Sequence, residues 1–266
     1  MGCRVRLVWL GLLLAGYFRG QQASPADFIQ SENVRLRYEE PKTVTGAIYA
    51  PGSSGQLLFK FKRQATRSDA ALNVLREYTY PDGKLAARER VVYEGDNLVS
   101  YQLEELQTGA GGSAKIRRDP KNQAKGTVKF EYRKEAGGAN RPKAGDEQLK
   151  PDTLMNDMVA PFLLSHWDAL IAREKVKCRY IVIPRAETVG FTFTKESEST
   201  WKGREVIVLR MEPTSPIISA LVDPLFFTIE KASPHRVLQY VGRTTPKIKA
   251  GGKWKDLDAV TVFDWK

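Results

Sequence analysis

Tyr80-Pro81-Asp82-Gly83-Lys84 decides the fold class. An Asp-Gly pair between two strand-like runs is a strong hairpin signal. Further on, Glu94-Gly95-Asp96-Asn97 turns the chain again before Leu98-Val99-Ser100-Tyr101-Gln102-Leu103. Residues 72–104 are therefore predicted to form a three-strand meander, whose neighbouring strands need no crossover helix.

The same theme extends in both directions. Leu57-Leu58-Phe59-Lys60-Phe61-Lys62 places Leu57, Phe59 and Phe61 on one face and two lysines on the other. Val128-Lys129-Phe130-Glu131-Tyr132-Arg133 alternates without a fault, and Leu225, Phe227 and Ile229 oppose Phe226, Thr228 and Glu230. A period of two means antiparallel strands with one buried and one wetter face. Gly251-Gly252 predicts a further hairpin into Ala259-Val260-Thr261-Val262-Phe263-Asp264-Trp265. Aromatic side chains crowd the strand positions, among them Phe59, Tyr78, Tyr101, Phe191, Phe227 and Tyr240. Such residues suit a pleated, half-buried surface, and they equally suit the wall of an apolar groove.

One segment departs from this period. Between Asp152 and Ala172, Leu154, Met155, Met158, Val159, Phe162, Leu163, Trp167, Leu170 and Ile171 recur at spacings of three and four, a helical stripe. Asp152 or Thr153 is positioned to cap its start. Pro161, lacking an amide, predicts a kink or break near residues 156–160. Pro216 to Val222 is a second, shorter helical candidate. Residues 107–125 and 135–150, rich in Gly, Lys, Asn and Pro, read as irregular, mobile loops, and the stretch 115–150 carries a net charge of +6.

The amino terminus reads as an address. Arg4 and Arg6 precede the apolar run from Leu7 to Phe18, followed by Gln21-Gln22-Ala23-Ser24-Pro25-Ala26. This is the layout of a secretory signal peptide over residues 1–26, cleaved after Ala26 or after Ala23. The run is shorter than the roughly 20 residues of a membrane span, though an uncleaved anchor is the competing reading. Export to the periplasm would leave residues 27–266 as a single domain. Cys3 would leave with the signal, so Cys178 has no mate for an internal disulfide and stability must come from a core. The net charge of +11 falls to +8 without Arg4, Arg6 and Arg19. Export makes nucleic acid a poor partner for that charge. Lysine placed for solubility and contact with an anionic membrane surface are the remaining accounts.

Motifs for catalysis are sparse. The two histidines, His166 and His235, have no partner at metal-ligand or triad spacing. Gly109-Ala110-Gly111-Gly112-Ser113-Ala114-Lys115 lacks the spacing of a phosphate loop. Glu104 and Glu105 would point to opposite faces of a strand, while Asp256 and Asp258 can share one. Nothing here asks for a metal or cofactor.

Pro151-Asp152-Thr153-Leu154 through Trp167-Asp168-Ala169-Leu170, leading into Lys177-Cys178-Arg179-Tyr180-Ile181-Val182, resembles the helix-then-strand centre of uncharacterised bacterial periplasmic β half-barrel families. Pro234-His235-Arg236-Val237-Leu238-Gln239-Tyr240-Val241-Gly242-Arg243-Thr244 resembles their carboxy-terminal part. The whole pattern distantly resembles the lipoprotein carriers of outer-membrane localisation. The resemblance implies a mainly β protein: a strongly curved antiparallel sheet, half-barrel or open barrel, with a helix at about 152–172 packed on its concave face. It carries over no functional residue. The expected function is non-catalytic binding of a lipid or other apolar envelope molecule, with Met155, Met158, Phe162 and Trp167 lining the groove. Methionine repacks readily around varied shapes. The alternatives are an envelope module that binds a protein partner through a sheet edge or the basic loops, and an enzyme with an unrecognised carboxylate site.

Overall fold

The computed structural model describes residues 38–52, 55–134, 141–220 and 222–265. The reading of residues 1–26 as an export signal, and with it Cys3, lies outside these. The described residues build one mixed sheet of fifteen strands, β1 to β15 in chain order, among which three short helices are placed. Its spatial order is β8-β7-β6-β5-β4-β3-β2-β1-β15-β14-β13-β12-β11-β10-β9, with β12 at Arg204–Pro213 and β13 at Leu225–Glu230. Two runs of successive hairpin neighbours thus meet where β1 (Thr43–Tyr49) pairs with β15 (Lys253–Asp264), Ala47 opposite Val262. Every ladder is antiparallel except the short one between β9 (Thr153–Leu154) and β10 (Val176–Val182).

The meander stands as the turn residues require: β3 (Ala71–Thr79), β4 (Leu85–Glu94) and β5 (Asn97–Glu105). Gly83 and Gly95 hold φ of 92° and 55° at its two turns, a left-handed backbone that costs glycine nothing. The closing hairpin joins β14 (Val237–Ala250) to β15 through Gly251 and Gly252. In β2 (Leu57–Arg67), Phe59 and Phe61 are buried and Lys60 and Lys62 exposed, as the alternation dictates.

Bulges give the sheet its bend. Register shifts interrupt seven ladders, among them β3–β4 at Tyr78/Thr79, β4–β5 at Val92/Tyr93 and β14–β15 between Arg243 and Lys247. Each extra residue kinks its strand and adds right-handed twist. The sheet curls until its first edge, β8 (Lys143–Gln148), meets the turn that leads into β11 (Glu187–Trp201). No ladder forms there, so the ring stays open. Instead the Glu147 carboxylate accepts the Thr188 amide at 3.1 Å and its hydroxyl at 2.6 Å. At Gly145 a Cβ would lie 2.1 Å from the Ala186 carbonyl oxygen, so only glycine allows the two edges to approach.

The loop reading of 107–125 is corrected. Residues 110–119 form strand β6, paired with β5 and with β7 (Asn122–Arg133). Its glycines are packing residues: a Cβ at Gly112 would sit 2.2 Å from the Glu131 carbonyl oxygen and 2.8 Å from Ile183. Residues 143–148 form β8, while residues 135–140 lie outside the described residues.

The helical segment starts later than the stripe implies. Thr153 and Leu154 pair with β10, so neither Asp152 nor Thr153 caps a helix. A 3-10 turn, Asn156–Met158, is started by Met155, whose sulfur accepts the Asp157 amide at 3.2 Å. Then come α1 (Val159–Ser165) and α2 (Trp167–Ile171), separated at His166. Pro161 falls in the first turn of α1, where its missing amide costs no intrahelical bond. Leu154, Met155, Met158, Phe162, Leu163 and Leu170 share one buried core with strand residues from both halves of the sheet. Apolar stripe and concave sheet face cover each other. The second helical candidate forms only one turn, α3 (Pro216–Ser219).

Two outcomes follow. Glu147→Ala, which removes a charged acceptor from a half-buried clasp, is expected to lower stability by about 1.5–3 kcal/mol, read as a lower urea midpoint. Cys178 is buried on β10, and burial, with the Asp152 charge adding to it, pushes its thiol up to about 12. Iodoacetamide with peptide mapping should leave Cys178 unlabelled in native protein and labelled in urea; rapid native labelling would contradict this burial.

Candidate functional site

Strand alternation sets the inner wall. Phe61 and Arg63 of β2, Arg76 and Tyr78 of β3, and Tyr101, Leu103 and Glu105 of β5 are each spaced by two, so each set shares a face. All of these except Tyr78 line a cavity of about 620 Å³, whose wall also includes Asn156, Asp157, Val159, Ala160 and Pro161 of the helical segment. The opposite strands, with Ile183 of the 3-10 turn after β10, supply a different surface: Ile181, Val189, Phe191, Met211, Phe227 and Val237. The cavity is therefore mainly apolar along β10–β13, and polar where Arg63, Arg76 and Glu105 on one side and Arg243, Thr244, Thr245 and Lys247 of β14 line it.

Two buried networks organise the polar side. In the first, Arg63 donates to Asp157 through Nε at 2.6 Å and Nη2 at 3.1 Å. The guanidinium also donates to the carbonyls of Pro41 and Tyr38. Tyr93 donates its hydroxyl to Asp157 at 2.9 Å while its ring stacks on Tyr38 at 4.3 Å. Burial, with Asp157 and Tyr38 adding to it, holds the Tyr93 phenol well above its ordinary value, so it remains a donor.

The second network surrounds Glu89 of β4, which is fully buried. Its Oε1 accepts from Asn156 at 2.8 Å, from Tyr78 at 3.3 Å and from Thr245 of β14. Its Oε2 lies 2.9 Å from Arg76 Nη1. That pair is an ion pair without a directed hydrogen bond: Arg76 Nε, Arg76 Nη1 and Glu89 Oε2 all lack an aligned partner among the described residues. Burial works against the Arg76 charge, yet Glu89, with smaller contributions from Tyr78 and Asp157, holds its pKa above the ordinary arginine value. Burial likewise raises the phenols of Tyr78, Tyr101, Tyr180 and Tyr240 around it, so all four are neutral. Tyr180 donates to Asn156, which couples β10 to the same cluster.

Met155, Met158, Phe162 and Trp167 are brought to the same segment but not to the cavity wall. Met155 is fully buried, Met158 and Phe162 are core residues, and half-buried Trp167 stacks on His235 at 4.1 Å. A side chain packed beneath a helix has no free surface to offer, and residues 156–157 and 159–161 of the same segment line the cavity instead. His166 packs on Phe162. Neither histidine lines the cavity. Glu104 and Glu105 do part across the strand, Glu104 to Arg90 and buried Glu105 toward Lys247. Asp256 and Asp258 share a face and are both taken up by Arg243, at 2.9 Å each. No group of three metal-ligating side chains occurs among the described residues.

The inward charges were readable by phase. Arg63 continues the buried series Phe59, Phe61; Arg76 continues Leu72, Val74 toward Tyr78; Glu89 precedes Val91 and Tyr93 on the inner face. Charge at an inward position of a strand is the signal, since a buried charge requires a partner.

No protein-family model and no curated protein matches the chain. Among solved structures, it is similar to a β-barrel-like protein of the domain of unknown function DUF1849 from Brucella abortus. That match has 10% identity and a TM-score of 0.47, and covers 84% of this chain and 96% of that one.

The Arg63–Asp157 pair, with side chains 10% and 1% exposed, makes a double-mutant test decisive. Asp157→Ala strands a buried guanidinium and is expected to cost about 3–5 kcal/mol, whereas Arg63→Met with Asp157→Leu should recover most of that loss. Urea unfolding of the three proteins checks it.

Proposed function

We propose that the chain is a non-catalytic, exported binding protein of the bacterial envelope that holds one small apolar or amphiphilic molecule between helix and sheet. The observation that carries this reading is the split cavity. Its volume falls within the roughly 300–1,000 Å³ usual for small-molecule sites, which are mostly apolar with a few placed polar groups. Apolar surface facing water is disfavoured by about 25 cal/mol per Å², so the wall of Ile181, Phe191, Met211 and Phe227 favours an apolar occupant. The buried carboxylates Glu89 and Asp157 each face an arginine, which suits a scaffold better than acid–base chemistry. The lipid-carrier resemblance and the export reading agree with this role.

Native mass spectrometry of protein purified from its own cells should show a co-purified apolar molecule; an apo mass alone counts against the proposal. Ala160 lines the cavity from α1 and is only partly buried. Ala160→Trp fills the space from that side and is expected to reduce occupancy about tenfold or more, with stability changed by no more than about 1 kcal/mol.

A further inference from the structure

We infer that Arg76 and Tyr101 form a head-group subsite, and that the occupant is a single-chain amphiphile ending in a carboxylate. This rests on the proposed cavity-binding role. Five cations line the cavity: Arg63, Arg76, Arg185, Arg243 and Lys247. Four of them donate hydrogen bonds to carboxylates, Arg63 to Asp157, Arg185 to Glu187, Arg243 to Asp256 and Asp258, and Lys247 to Asp256. Arg76 alone donates none among the described residues, although its side chain is only 12% exposed.

Glu89 explains how such a guanidinium is maintained. Fully buried, with Oε1 engaged by Asn156, Tyr78 and Thr245, it neutralises Arg76 from behind and has no surface on the cavity. Phe61 packs under the guanidinium, its centroid 5.2 Å from Cζ. Arg76 Nε and Nη1 are buried and aligned with no acceptor, and Nη2, which has no acceptor among the described residues, is the nitrogen left to reach the cavity. A buried donor left unmade costs more than a typical bond contributes, and that cost is removed by a ligand that brings oxygens.

Tyr101 supplies the second donor. Its ring is buried, its hydroxyl makes no hydrogen bond among the described residues, and burial keeps the phenol protonated. The Nη2 N–H groups beside a hydroxyl match a carboxylate, whose two oxygens can accept from the guanidinium and from the phenol. An ammonium is repelled there, and an alcohol satisfies one donor at most. The tail has the Ile181–Phe191–Met211–Phe227 wall of the same cavity to lie on.

The test uses delipidated full-length protein and three ligands of one chain length, dodecanoate, dodecanol and dodecylamine, each titrated calorimetrically below its micelle concentration. Dodecanoate is expected to bind about tenfold tighter than dodecanol or more, the scale of one charge-assisted hydrogen bond, with dodecylamine the weakest. Arg76→Gln should bring the dodecanoate-to-dodecanol ratio to about one, and Arg76→Lys should retain part of the preference. Arg76→Gln leaves Glu89 buried and unpaired; if it fails to fold, Arg76→Gln with Glu89→Gln removes both charges and should show the same lost ratio. Equal binding of all three ligands, or a preference that survives in the folded double variant, overturns the head-group assignment and leaves cavity binding standing. Binding of none of the three overturns the cavity-binding role itself.

Discussion

Asn156 and Asp157, adjacent in one 3-10 turn, tie the two halves of the sheet together through the middle of the molecule. Asp157 takes Arg63 from β2 and Tyr93 from β4; Asn156 bonds Glu89 of β4 and Tyr180 of β10. Glu89 then reaches Arg76 and Tyr78 on β3 and Thr245 on β14. A curved sheet has no interior partner except what the chain places inside it. Here that filler is held by polar contacts, which are directional and fix position as well as proximity. The apolar side of the same segment follows that placement into the core.

This arrangement also accounts for the asymmetry of the cavity. Where the filler contacts β2–β5, charges must be paired and the wall is polar. Along β10–β13 the wall is mainly aliphatic and aromatic. Because Glu147 and Thr188 clasp the sheet edges without a ladder, the curl has no continuous hydrogen-bonded seam. The space inside is set by side chains rather than by ring closure.

Much of the fold was legible in local signals. Asp82-Gly83 and Gly251-Gly252 mark hairpins that exist, and the alternation around Phe59, Phe61, Val128 and Phe130 marks buried faces that exist. Gly111 and Gly112 misled, because a glycine that admits a neighbouring backbone looks the same as one that loosens a loop. The methionine stripe at 155–162 was legible as an apolar face and was read as groove lining, since periodicity says only which face is apolar, not whether that face meets sheet or cavity. Arg63, Arg76 and Glu89 occupy inward phases, a sign that was present in the alternation but outweighed by the apolar stripe.

The sequence by itself determined a mainly β chain, its turns, most strand faces and an apolar segment destined for the interior, because each depends on residues a few positions apart. Only the tertiary structure decided that β1 meets β15, that Glu147 closes on Thr188, and that Arg76 donates no hydrogen bond among the described residues. Those facts join residues tens to hundreds of positions apart. Their partners are chosen by the bend of the sheet and by the demand that every buried charge find its opposite, neither of which any short window of sequence contains.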